Sequence, residues 1–191
     1  MSSHYNHGYL PLAFVFSVPG AVESNELRPV SGATGENLSI ALTHLHSWVP
    51  HLFESLDRYA YRITNSYVYP IAKSLGYKYS EARQADVISL ENIDRVRQEI
   101  MGCSVVVLCG LRAQLLSPYI STTGIATINA WHTSNQALSK KYNTLEIKGI
   151  PNATLRRNNR SRLWAKDLTN LVLMNTADSF DINLTRVADL A

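Results

Sequence analysis

Two short stretches gather the side chains best suited to hold and act on a polar ligand. His132-Thr-Ser-Asn135 sets an imidazole, two hydroxyls and an amide in four consecutive positions. Asn65-Ser66 adds a second amide and hydroxyl. Upstream, Ser17-Val-Pro-Gly20 is followed by Glu23, and Gly32 and Gly35 stand at the start of a helical pattern. A helix beginning there leaves backbone N–H groups unpaired, and these suit a phosphate or the polar edge of a base. The run Arg156-Arg-Asn-Asn-Arg-Ser-Arg162 supplies four guanidinium groups able to neutralise phosphates. Each feature also has an ordinary structural reading. Pro19-Gly20 makes a turn, Gly32 and Gly35 allow close packing, Asn65 caps a loop, and the arginine run is a solvated loop and helix start.

These residues share a position: each group follows an apolar run. Leu12–Ser17, Ser104–Cys109 and Ile125–Ala130 are near-continuous apolar segments, as expected of strands covered on both faces. Ala60–Thr64 is a weaker strand pattern because it contains Tyr61 and Arg62. Helical patterns lie between them at Glu36–Trp48, Ser89–Met101 and Gly110–Leu116, and another spans Arg162–Met174. Ser89 is a good helix cap. Alternating strands and helices give a three-layer α/β/α fold with a central four-stranded, mainly parallel sheet, and a single domain over residues 1–191. In such sheets ligands bind beyond the carboxyl ends of the strands, which is where these residues fall.

Composition bounds the remaining classes. The chain has 191 residues, 46% hydrophobic and 17% charged, which fits a globular protein with a sizeable core. A net charge of +3 and a pI near 8.9 permit a polyanionic partner. No apolar run is long enough to span a membrane, and Met1–Gly8 lacks a signal-peptide core, so a cytoplasmic monomer is expected. Residues 1–9 are expected to be flexible, with His4 and His7 too loosely spaced for a metal. Cys103 and Cys109 read as buried thiols, on one face of a strand only if the alternation between them is regular.

The order of these pieces resembles the branch of the uracil-DNA glycosylase superfamily best known for iron–sulfur enzymes. That branch has a strand, then Gly-Glu-Ala-Pro-Gly, a Glu three residues on, and Gly-Arg-Pro-Phe-Val-Gly before a helix. This chain has Phe16-Ser-Val-Pro-Gly20, Glu23 and Leu27-Arg-Pro-Val-Ser-Gly32 without gaps. Ile63-Thr-Asn65 with Pro70 matches the second motif, and Leu108-Cys-Gly110 with Ala113 matches the third. His132-Thr-Ser134 stands where the family has His-Pro-Ser. The resemblance covers about Leu12 to Leu138 and implies a uracil-DNA glycosylase-like fold.

It also implies a mechanism. A flipped nucleotide of DNA is held beyond the strand ends, because its glycosidic bond is out of reach within the duplex. Asn65 matches the family's base-reading residue, and its amide presents both donor and acceptor to a pyrimidine. His132 matches the residue that stabilises charge on the departing base. Pro19, Gly20 and Ser134 lie where the family grips phosphates. Gln136 and Leu138 lie where it wedges the duplex, and Arg156, Arg157, Arg160 and Arg162 extend the DNA-binding surface.

Three departures stand out. Ser17 and Val18 occupy the positions of the family's activating carboxylate, which leaves Glu23, Ser17 or Asn65 to position water, unless Glu23 pairs with Arg28. Val30 replaces the Phe that stacks on the base, forfeiting much of a contact worth roughly 1–3 kcal/mol. With Val18 and Asn65 it makes a pocket suited to a bulkier pyrimidine. The cluster cysteines are missing, so no iron–sulfur centre or other cofactor is expected. The resulting expectation is a glycosylase for a modified pyrimidine, in keeping with the defence enzymes of this superfamily that remove hypermodified cytosine from phage DNA. A weak conventional uracil glycosylase, an inactive DNA-binding relative and a nucleotide-binding module are the alternatives.

Overall fold

The computed structural model describes residues 2–188, with the side chains of Lys73 and residues 176–188 left aside. Its sheet has the strands β1 (Tyr5–Asn6), β2 (Leu12–Phe16), β3 (Arg62–Asn65), β4 (Val105–Cys109) and β5 (Ala126–Ala130) in the order β1-β3-β2-β4-β5. The strands β3, β2, β4 and β5 run parallel, and β1 lies antiparallel along the outer edge of β3. The sheet is therefore mixed and five-stranded rather than four-stranded. The added strand is two polar-flanked residues long, too short to show any period-2 pattern.

Helices cover both faces. After β2 come α1 (Ala21–Glu26) and α2 (Ala33–Trp48), and before β4 come α3 (Gln84–Val87) and α4 (Leu90–Glu99). After β4 come α5 (Leu111–Gln114) and α6 (Ser117–Ser121), and after β5 come α7 (Asn135–Lys141), α8 (Leu145–Gly149) and α9 (Ala153–Ala188). Alternation along β2 sends Leu12, Phe14 and Phe16 into a core with α2 and α9, where Leu38, Leu42 and Trp164 are buried. Ala13 and Val15 point to the other face, against Ile93 and Val96 of α4 and Leu116 below α6. Each fully buried large apolar side chain contributes about 1.5–3 kcal/mol. Cys103 and Cys109 are buried in different clusters. Cys103 precedes β4, directly after Gly102 at φ +85°, so the strand alternation does not reach it.

The strand ends lie within two residues of the sequence expectation. The start of β3 moves to Arg62 because Arg58–Ala60 forms a 3₁₀ turn, capped by the Asp57 side chain accepting from the Tyr59 N–H. The segment expected to be flexible is anchored: β1 pairs with β3, and His4 Nε2 lies 3.1 Å from Glu99 Oε1. The final helix begins nine residues before the expected Arg162, because Arg156–Arg160 continues the helix without an apolar stripe to announce it.

The connection leaving β2 crosses the face covered by α2, and the one leaving β4 crosses the opposite face through α5 and α6. A crevice thus opens between the carboxyl ends of β2 and β4, the usual ligand site of such sheets. No helix among the described residues is long and apolar enough to cross a membrane.

Candidate functional site at the strand ends

Asn65 ends β3 opposite Phe16 of β2 and is only 4% exposed. Its side-chain amide makes no hydrogen bond among the described residues, while its backbone is pinned from behind. Arg95 of α4 donates to the Asn65 carbonyl at 2.9 Å, and Asn92 of α4 donates to the Ser66 carbonyl at 2.8 Å. Arg95 is itself held by Asn92 Oδ1 and by Glu99. Burial works to raise the Glu99 pKa, but His4, Arg95 and Thr64 outweigh it, so the carboxyl lies below its ordinary range and stays ionised. Ser66 N–H donates to the Phe16 carbonyl and Ser66 Oγ to the Ser17 carbonyl at 2.7 Å, closing β2 and β3 together.

His132 follows β5 but crosses over β4. Its ring meets Phe16 of β2 edge-on, with centroids 5.5 Å apart. Gly110 makes this possible. A Cβ there would stand 3.1 Å from His132 Cβ and 3.3 Å from Cδ2, and the residue sits at φ +98°. The Ser134 N–H donates to His132 Nδ1 at 3.0 Å. A backbone N–H can only donate, so Nδ1 is the acceptor and the neutral ring carries its proton on Nε2. Burial lowers the pKa to about 4, which keeps the imidazole neutral near pH 7. Neighbouring strands stand about 4.8 Å apart. The His132 ring thus reaches β2, the strand beside the one that ends in Asn65.

The first motif is arranged differently from the sequence expectation. Glu23 Oε2 accepts from the Gly20 N–H at 3.1 Å and so caps α1. Arg28 does not pair with its side chain. The Arg28 guanidinium lies over the Tyr59 ring, 3.3 Å from the centroid. Ser17 is buried, and Pro19 accepts from the Ile71 N–H. Val18 packs on the α4 face, whereas Val30 is buried with the α2 cluster, so the two do not share the wall of one pocket. Val30 also has φ +47°, a left-handed conformation that β-branched residues avoid at a cost of about 1–3 kcal/mol. Its carbonyl presses on Gly35, where a Cβ would lie 1.6 Å away.

Ser134 Oγ caps α7 by accepting from the Ala137 N–H at 3.3 Å, and Gln136 is exposed on its first turn. Leu138, expected to wedge a duplex, is 1% exposed and belongs to the core, because its place on α7 faces the sheet. The arginines split as well. Arg156, Arg157 and Arg160 line a concavity of about 340 Å³ with Asn135, Ser139 and Thr154. Arg162 does not line it; the helical turn aims it toward His44 of α2, whose pKa is lowered by burial first and by Arg162 second. Arg157 is engaged by Asn37 Oδ1 at 2.6 Å and by Glu36, whereas Arg156 and Arg160 bond only backbone carbonyls. Asn37, fully buried, also donates to the Thr133 carbonyl at 2.7 Å and to Asn135. It ties the His132 loop to α2 and α9, a role that the sequence did not signal. Among the described residues no group of three or more His, Cys, Asp or Glu is placed to hold a metal ion.

No family model matches the chain, and no curated protein matches it.

Proposed function

We propose that this chain is a DNA glycosylase that hydrolyses the N-glycosidic bond of a flipped, modified or bulky pyrimidine and leaves an abasic site. A glucosylated hydroxymethylcytosine of phage DNA is the substrate class in view. The observation that carries the reading is a neutral His132, its Nε2–H fixed by Ser134, whose ring reaches Phe16 of β2, the residue opposite the unbonded Asn65 at the end of β3. The motif resemblance supports it independently. In the reaction the bond from the sugar to the base breaks, and the electron pair leaves with the base. Water adds to the sugar carbon and loses its proton. Asn65 reads the pyrimidine edge. His132 donates to the base oxygen where charge develops, an interaction that strengthens in the transition state. Arg156 and Arg160, with no carboxylate partner among the described residues, face the DNA backbone as phosphate ligands.

One observation favours a second reading, an inactive DNA-binding relative. Glu23, the carboxylate of the first motif, is engaged as a helix cap. A base-release assay over DNA containing uracil, hydroxymethylcytosine and glucosylated hydroxymethylcytosine separates the possibilities. Release of the glucosylated base is the expected outcome. Efficient release of uracil alone marks a conventional glycosylase, and DNA binding without release from any substrate marks the inactive relative.

A further inference from the structure

The segment between Asn65 and α3 concentrates exposed aromatic rings. Tyr69, Tyr77 and Tyr79 are 63%, 49% and 66% exposed. Single exposed apolar rings are common, but a group on one loop marks a contact surface. The loop is built to present them. Tyr67 is partly buried against the α4-face core and meets Tyr69 edge-on, with centroids 5.6 Å apart. Burial raises the Tyr67 pKa first, followed by Asp86 and Tyr69, with Arg83 opposing and Tyr77 adding. Tyr77 therefore lies in reach of the same group. The Lys78 ammonium lies 5.4 Å from the Tyr79 ring centroid and has no carboxylate partner among the described residues.

Two backbone bonds tie this loop to the candidate site. The Tyr67 N–H donates to the Ser17 carbonyl and the Ile71 N–H to the Pro19 carbonyl, each at 3.2 Å. The segment that carries Tyr69 therefore borders the turn after β2, and the chain runs on from there to Tyr77 and Tyr79.

We propose that Tyr69, Tyr77 and Tyr79 form a stacking platform for unpaired DNA bases next to the nucleotide held at the strand ends. This rests on the DNA reading of that site and adds a surface for the single strand. Exposed rings with a lysine beside them fit nucleic acid, since every base offers a π-face and every linkage a phosphate. Stacking uses the ring and not the hydroxyl, so phenylalanine substitutes for tyrosine there.

The test is fluorescence anisotropy of a labelled oligothymidine of about 15 nucleotides, titrated with the full chain. The double variant Tyr69→Ala, Tyr79→Ala binds roughly tenfold or more weakly, and Tyr69→Phe, Tyr79→Phe stays within about twofold of the unaltered chain. Thermal melting checks that both variants fold. Equal binding by the alanine variant overturns the proposal, and so does an unaltered chain that fails to bind oligothymidine, in which case the loop serves a protein partner. Oligothymidine carries no modified base to be released, so the difference in its binding between the alanine and phenylalanine variants reports the platform. Absence of base release from modified DNA counts against the glycosylase reading and leaves the platform standing.

Discussion

Asn65 and His132 are held at the strand ends in opposite ways. Asn65 is fixed by added side chains: Arg95 and Asn92 reach from α4 to the carbonyls of residues 65 and 66. His132 is fixed by a missing one, since Gly110 leaves the space through which its ring reaches Phe16. A polar clamp weakens by degrees as its bonds are removed. A carbon placed in the space at Gly110 would stand 3.1 Å from His132 Cβ and 3.3 Å from Cδ2, so His132 must shift by a few tenths of an ångström to admit it, on a backbone already at φ +98°. The site thus has one side held by polar bonds and one held by shape.

Variants break this comparison in a definite order. On the proposed glycosylase reading, removing either candidate side chain has the largest effect: Asn65→Ala or His132→Ala lowers single-turnover base release by roughly 100- to 1000-fold while the fold persists. Gly110→Ala comes next, at roughly 10- to 100-fold. It both strains a left-handed backbone position and displaces His132, so its melting temperature falls as well. Retention of full activity in Gly110→Ala would show that the vacancy is not needed.

Arg95→Met produces a graded loss, within about tenfold in base release, with about 1.5–3 kcal/mol of stability lost in denaturant unfolding. Arg95→Lys recovers part of it. Exchanging Arg156 and Arg160 together for Gln leaves the chemical step unchanged and lowers the salt-dependence slope of DNA binding by about two, read from affinities over a salt series.

The smallest effect is that of pH. On the same reading, with the His132 pKa lowered to about 4 by burial, base release is level from neutral pH down to about 5 and has halved near pH 4. Stability carries its own signature. The unfolded chain takes up a proton on this ring near pH 6.5 and the folded chain only near 4. The His132 contribution is therefore complete above about pH 6.5 and is lost as pH falls toward 4. Thermal melts over that window in the unaltered chain and in His132→Asn measure it.

The strands, and the placing of Asn65, Gly110 and His132 at or just after their ends, were legible in the sequence because buried parallel strands are apolar runs. What escaped has identifiable causes. Leu138 and Arg162 were assigned by distance along the chain, whereas helical phase turns one into the core and the other away from Arg156 and Arg160. Val30 follows no propensity: nothing in its type suggests a positive φ, which is imposed by the approach of Gly35. Asn37, Asn92 and Arg95 act through bonds between residues distant in sequence, and no local pattern announces such partners.

The short strand β1 has a consequence for handling the protein. It occupies the outer margin of β3, where Tyr5 and Asn6 pair with Thr64 and Ile63. A bare margin of this kind is a template on which another chain can add a strand, the first step toward fibrous aggregates. Trimming residues 1–8 therefore shortens the protein's shelf life in concentrated solution, even where a fresh sample of the trimmed chain still folds.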